Sequence, residues 1–580
     1  MAAQGDETPT TTADGVGEAR PKAEEARAQH EPAPTPGTGR RRFRYTLPGA
    51  WVALVSACLA FTPSLLPRGA LLQGVVCGIS AAIGYGLGVA GAWTWRAFAD
   101  RDPRPPRPGA WRVFAISAAV LLAVASGLGL WWQAQLRDLM GAPTPSILLL
   151  PLLPLAAVGI FAGLVAVSRW LRGIYRRTAG RLERWMGRRA ANALGWLIVV
   201  VATYLVASGL LLNGLAALAD RSFSVRNTAT AEGIERPTSP LRSGGPGSLV
   251  SWESLGRQGR TFTGSGPSAK AITEWTGADA QEPIRAYAGT VSAADVEKRA
   301  ELAAADLERA GGFDRANLLV ATTTGSGWLD SGATDSFEYL TGGDSAIVAM
   351  QYSYLPSWLS YLVDQKKARE AGRQLFDAVY DRWSKLPPTD RPRLFVFGLS
   401  LGSFGGETAF SGEYDLRNRT AGALFAGPPN FNTLYREFTD GRDPGSREVE
   451  PVYKGGRTVR FTNDVAGGIA PTSTAWNGTR VLYLQHPSDP IVWWSPRLIW
   501  DRPDWLGEPP GRDVLDAMFW MPVVTFWQVT VDLPLATGVP DGHGHVYTRE
   551  FVDGWARVLQ PAGWTADKAE RLRDIVSAPE

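Results

Sequence analysis

The sequence predicts a chain in two parts: a multi-span α-helical membrane domain, then an α/β domain whose mainly parallel sheet carries helices on both faces. Three observations predict it. Long apolar runs crowd the stretch between Trp51 and Leu218, while the rest reads as soluble protein. Arginines gather between alternate runs, the charge asymmetry of a membrane protein. From Ile284 onward, short continuous apolar segments alternate with helical ones, the pattern of strands buried on both faces. At 580 residues the chain is also too long for one compact domain.

Residues 1–45 are rich in Ala, Thr, Glu, Pro and Gly. Such a segment cannot bury enough surface to offset its ordering entropy, so a disordered cytoplasmic tail is expected. It lacks the apolar core of a signal peptide. A five-helix membrane domain is expected over 46–220, with spans near 47–66, 70–95, 111–133, 147–168 and 193–217. Each is long enough for a hydrocarbon core of ~30 Å, although Pro63 and Pro67 interrupt the end of the first.

Arg40, Arg41, Arg42 and Arg44 precede the first span, and Arg96, Arg101, Arg104, Arg107 and Arg112 surround the second loop. The fourth loop is richer still, from Arg169 to Arg189, whereas the first and third hold only Arg68 and Arg137. The positive-inside rule therefore predicts a multi-pass plasma-membrane protein with a cytoplasmic N-terminus and everything after about Asp220 outside the cytoplasm. The lipid bilayer is the expected partner. A net charge of +3 gives no support for nucleic-acid binding, and none is expected.

Residues 221–281, rich in Ser, Gly, Thr and Pro, read as a linker and irregular lead-in, and 282–580 as the α/β domain. Strands are expected at 284–287, 317–323, 346–352, 393–397, 422–425, 458–461 and 480–484. Helices are expected at 293–310, 358–383 and 401–410.

Gly398-Leu399-Ser400-Leu401-Gly402 is a G-x-S-x-G motif. Alone it is a weak signal, but here it follows a strand and opens a helix, the strand-turn-helix elbow that exposes a nucleophilic serine. Serine needs a base, and the chain has four histidines: His30, His486, His543 and His545. His30 lies in the tail, and His486, at the end of a strand, suits a packing or loop role. His545 is the favoured base and His543 the alternative, both in the Gly-rich loop Pro540–Tyr547 before the last helix. Asp489, after a late strand, suits the acid that orients the imidazole, with Asp464 the alternative. The oxyanion donors are expected to be the amide of Leu401 and that of Gly325 or Ser326, in the Gly-rich turn after an early strand.

No cofactor and no metal are expected. The two cysteines, Cys58 and Cys77, sit in apolar runs, so neither a disulfide framework nor a thiol nucleophile is available. His543, His545, His486 and Asp489 could supply metal ligands, but the elbow serine would then lack its base. The apolar segment Val514–Leu535, between acid and base, reads either as core or as a cap that docks on the bilayer or lines an acyl-binding cleft.

The order Ser400, Asp489, His545 is that of α/β-hydrolases. With Leu255–Arg260, Thr324–Trp328, Gln351–Trp358, Phe425–Pro429 and Gly542–Tyr547, the chain resembles actinobacterial membrane proteins that pair a multi-span N-terminal domain with an α/β-hydrolase domain. The resemblance implies a hydrolase by fold and leaves the substrate open. The residues themselves point to a serine esterase, lipase or acyl-transfer enzyme acting on an acyl-ester or lipid-like substrate at the outer membrane face. The alternative is a non-catalytic or transport-related protein using the fold as a binding module.

Overall fold

A computed structural model describes residues 45–102, 106–206, 226–355, 360–361, 365–464 and 472–577, with single positions at 214, 224 and 468. The expected tail up to residue 44, with His30, and the end of the fifth expected span lie outside the described residues.

The N-terminal part is helical: α1 (Leu47–Leu59), α2 (Ala70–Phe98), α3 (Ala110–Met140), α4 (Leu152–Leu182) and α5 (Arg188–Leu205). Three stretches, Ala70–Phe98, Ala110–Met140 and Ile147–Leu182, are long and apolar enough to cross a membrane. Their outward residues include Val120, Val124, Leu128, Leu155 and Val158, all exposed. An apolar exterior on this scale matches a hydrocarbon surrounding.

The first expected span, 47–66, needs correction. Its helix has 13 residues, about 20 Å at ~1.5 Å per residue, short of the ~30 Å core. It ends at Leu59, ahead of Pro63 and Pro67, which remove amide donors and disfavour helix at the residues before them. In the following strap, 60–69, residues 60–66 and Arg68 are buried, with Leu65 and Leu66 fully covered. Hydropathy read this strap as lipid-facing, whereas it faces protein.

Small residues bring the helices together. A Cβ on Gly74 would stand 2.4 Å from the Leu153 carbonyl oxygen, and one on Gly84 2.3 Å from Ser56 Oγ. Only glycine permits such close approach of helix backbones, as in small-xxx-small membrane packing.

The C-terminal domain holds a seven-stranded sheet: β1 (Ile284–Ala288), β2 (Asn317–Thr322), β3 (Ser345–Met350), β4 (Arg393–Leu399), β5 (Gly422–Ala426), β6 (Val459–Thr462) and β7 (Arg480–Leu484). Its order is β1-β3-β2-β4-β5-β7-β6. Every pairing is parallel. Parallel strands are joined by crossovers whose helices cover both faces, which explains why these strands are apolar throughout. One side buries Leu318, Val320, Val396 and Phe425; the other buries Leu319, Phe395, Phe397 and Trp555. The elbow strand β4 is central, and loops at the carboxyl ends of such strands form the ligand crevice.

The lead-in is more ordered than its composition suggests. Helices Gly256–Gly264 and Ala269–Thr276 bury Phe262, Ile272 and Trp275. Arg285 on β1 donates to the Phe262 carbonyl at 2.9 Å and pairs with Glu338 at 2.6 Å, both side chains buried.

The apolar segment Val514–Leu535 contributes a helix, Val524–Asp532, here termed the cap helix. It docks on the membrane helices through Met521, Val524 and Val531, which share a core with Ala60, Phe61, Val76 and Cys77. Gln528 donates to the Thr62 carbonyl at 2.9 Å, and Asp532 accepts from Arg68 and Ser64 of the strap.

Candidate active site

Ser400 stands between β4 and the elbow helix Leu401–Glu407 with φ 58° and ψ −124°, a strained conformation for a residue with a Cβ. The flanking glycines make it feasible. A Cβ on Gly398 would lie 2.3 Å from the Gly402 carbonyl oxygen, and one on Gly402 2.3 Å from that of Thr322. The Ser400 amide donates to the Ala426 carbonyl at 2.9 Å, tying the elbow to the end of β5. Leu401 opens the helix, so its amide has no intrahelical acceptor and is available to a ligand.

Gly427 follows Ala426 and has φ 51°. A Cβ there would stand 2.3 Å from Cε1 and 2.6 Å from Nδ1 of His545, and 3.1 Å from Oδ2 of Asp489. The imidazole thus lies against the backbone to which the Ser400 amide is bonded. His545 Nδ1 is 2.6 Å from Asp489 Oδ2, and the Tyr547 hydroxyl donates to the same oxygen at 2.8 Å. The other carboxylate oxygen accepts the Ile491 amide at 2.8 Å. These bonds assign the His545 proton to Nδ1. Its Nε2 is buried and has no hydrogen-bond partner among the described residues.

The other histidines turn elsewhere. His543 Nδ1 faces Asp513 Oδ2 at 3.1 Å. Burial pushes Asp513 up, but hydrogen bonds from His543 and Ser488 and the charge of His486 hold it below the usual carboxylate range. His486 contacts the Gly544 carbonyl at 2.8 Å and Glu550 at 2.6 Å, and stacks on Tyr547 with centroids 4.1 Å apart. Burial lowers its pKa, yet Glu550 and the Gly544 carbonyl raise it to about 9. Glu550 thus favours the protonated form of His486, which ties the histidine loop through the Gly544 carbonyl. The packing or loop role expected of His486 agrees with this buried, stacked ring, and its bond to Glu550, 64 residues away in sequence, adds an ionic partner that the sequence did not indicate.

Asp464 follows the edge strand β6, and the carboxylate bonded to His545 is that of Asp489. The turn Thr324–Trp328 closes on itself through Thr324 N–H to Trp328 O at 3.1 Å. Gly325 is packed so tightly that a Cβ would lie 2.1 Å from Ser360 Oγ. Ser326 accepts at its carbonyl from Gln351 at 2.8 Å.

Ser400 is 5% exposed. From the elbow helix an aromatic chain runs Phe404–Phe431–Tyr361–Trp494–Phe526, with successive centroids 4.9–5.9 Å apart, ending on the cap helix. The membrane-domain strap joins this cover: a Cβ on Gly544, one residue before His545, would come within 3.4 Å of Leu66 Cδ2. Pro63 and Pro67 signal a break in the span around Leu66, but nothing in the sequence there points to this contact.

A parallel sheet with a strained serine at the end of its central strand, beside a buried Asp–His pair, defines the α/β-hydrolase class. The chain belongs to the α/β-hydrolase family: a family model described as "Alpha/beta-hydrolase family" matches residues 284–572, and one described as "Alpha/beta-hydrolase family N-terminus" matches 61–267. No curated protein and no solved structure matches the chain.

Proposed function

We propose that the protein is a membrane-embedded serine hydrolase that cleaves or transfers acyl esters with Ser400, His545 and Asp489. The observation that carries this reading is the buried, unpartnered Nε2 of His545, backed by Asp489 and lying against the strand end that holds Ser400. His545 Nε2 takes the proton of Ser400 Oγ as that oxygen attacks the acyl carbonyl. Asp489 keeps the Nδ1 proton in position and stabilises the imidazolium. The Leu401 amide, with that of Gly325 or Ser326, stabilises the developing oxyanion. His545 then returns its proton to the leaving alcohol, and water or another acceptor resolves the acyl-enzyme.

The aromatic chain from Phe404 to the cap helix favours an apolar acyl group. The arginines of the loops after α2 and α4 favour a cytoplasmic side for both loops, and with the fifth expected span following the second of them they support catalysis at the outer face of the plasma membrane. A periplasm-active reporter fused after Glu580 is expected to be on and one inserted near Arg177 off; the reverse overturns the orientation.

A fluorophosphonate should label the wild-type protein, and Ser400→Ala should abolish labelling while melting temperature stays unchanged. Labelling that survives this substitution overturns the nucleophile assignment.

A further inference from the structure

Between α2, α3 and the start of α4 lies a cavity of about 560 Å³, within the ~300–1,000 Å³ usual for small-molecule sites. Its wall is mostly apolar, including Phe61, Leu130, Ile147, Leu149 and Leu153. One end is polar, formed by Arg68, Gln73, Gln133 and Arg137, all buried.

The charges at that end do not cancel. Arg68 pairs with Asp532 at 2.7 Å, both side chains fully covered. Its Nη1 donates to Gln73 Oε1 at 3.2 Å. Arg137 donates to the carbonyls of Gln133 and Arg68, at 2.8 and 2.6 Å. Among the described residues, Asp532 is the one carboxylate bonded to either guanidinium. Arg68 Nη2, buried, has no hydrogen-bond partner among them. Guanidinium does not deprotonate in proteins, so the excess positive charge is permanent, and buried charge is expensive unless paired.

We propose that this cavity binds the anionic head group of a membrane lipid at Arg68 and Arg137, with an acyl chain along the apolar wall. The way in fits such a guest. Leu130, Ile147 and Leu149, which line the cavity, are themselves at least half exposed, so the apolar wall is open to the surroundings. A lipid can therefore enter sideways from the bilayer with no polar barrier. The strap links the two sites: Phe61 and Arg68 line the cavity, and Leu66 touches the loop of His545. The site is independent of the chemistry at Ser400.

The test uses the full chain in dodecyl maltoside with two photoactivatable probes, a long-chain carboxylate and a phosphatidylglycerol, and the fatty alcohol of matched length as neutral control. At least one anionic probe should cross-link to peptides within 61–73 or 126–154, at least tenfold more than the alcohol. Ser126→Trp, which fills the cavity without touching the polar cluster, should reduce that cross-linking at least tenfold; Arg137→Gln should do the same. Fluorophosphonate labelling and melting temperature report folding of each variant independently of the cavity. Equal labelling by the alcohol, cross-links confined to other peptides, undiminished labelling of a folded Ser126→Trp, or full displacement by inorganic phosphate would each overturn the proposal.

Discussion

Arg68 and Asp532 stand 464 residues apart in sequence and 2.7 Å apart in the fold, a buried ion pair joining the strap of the membrane domain to the cap helix. Ser64 donates to the same carboxylate. The cap helix is therefore tied to the strap between α1 and α2 as well as to the sheet domain.

Removing one partner leaves the other charged and buried, which typically costs about 3–5 kcal/mol. Asp532→Ala should accordingly lower the stability of the purified protein to chemical denaturation, with the loss concentrated where the two domains meet. Limited proteolysis checks the location: the cap segment should become the first site cut. An unchanged denaturation midpoint would mean that the pair holds nothing together.

The two histidines of the Gly-rich loop face different carboxylates, which separates their mutants. His545→Ala should reduce kcat by about 10⁴-fold or more, as loss of a triad member does. Asp489→Asn should also cause a large fall, through loss of tautomer control and charge stabilisation. His543→Ala should cost much less, because His543 supports the loop through Asp513. Steady-state kinetics on a soluble acyl ester would decide, and a larger loss from His543→Ala would reverse the assignment.

Gly427 gives a sharper probe of the same geometry. Alanine there would drive its methyl into the His545 ring, 2.3 Å from Cε1, at a backbone φ of 51°. A displacement of ~1 Å in such a site can cost about 10²-fold. Gly427→Ala should therefore cut both turnover and the rate of fluorophosphonate labelling by at least that factor, with the protein still folded by circular dichroism. Normal labelling kinetics would show that the ring is not held where the structure has it.

His486 predicts a pH dependence of stability. Its pKa rises from 6.5 to about 9 on folding, so the folded protein holds this proton more tightly than the unfolded chain. The stabilisation is complete below about pH 6.5 and is lost as pH rises through about 9. Melting temperature should fall over that window, and His486→Gln should flatten this part of the profile while lowering stability at pH 6. A variant with the wild-type slope would place the titration elsewhere.

Much of the catalytic domain was legible because its signals are local. A run such as Leu394–Phe397 can be buried on both faces only in a covered sheet, and G-x-S-x-G between such a strand and a helix is the context expected of a nucleophile elbow. The sequence alone thus determined the parallel sheet, the elbow at Ser400, and an order in which an acid and a histidine follow. Tertiary structure decided which histidine meets which acid. His543 and His545 are two residues apart, and the left-handed turn at Gly544, φ 53°, directs them to Asp513 and Asp489. Tertiary structure also decided the fate of residues 60–69. Hydropathy measures removal from water and cannot distinguish lipid from protein as the surrounding medium, so Leu65 and Leu66 read as membrane although they belong to a protein core shared with Leu136, Met140 and Val529, with Leu66 against the histidine loop.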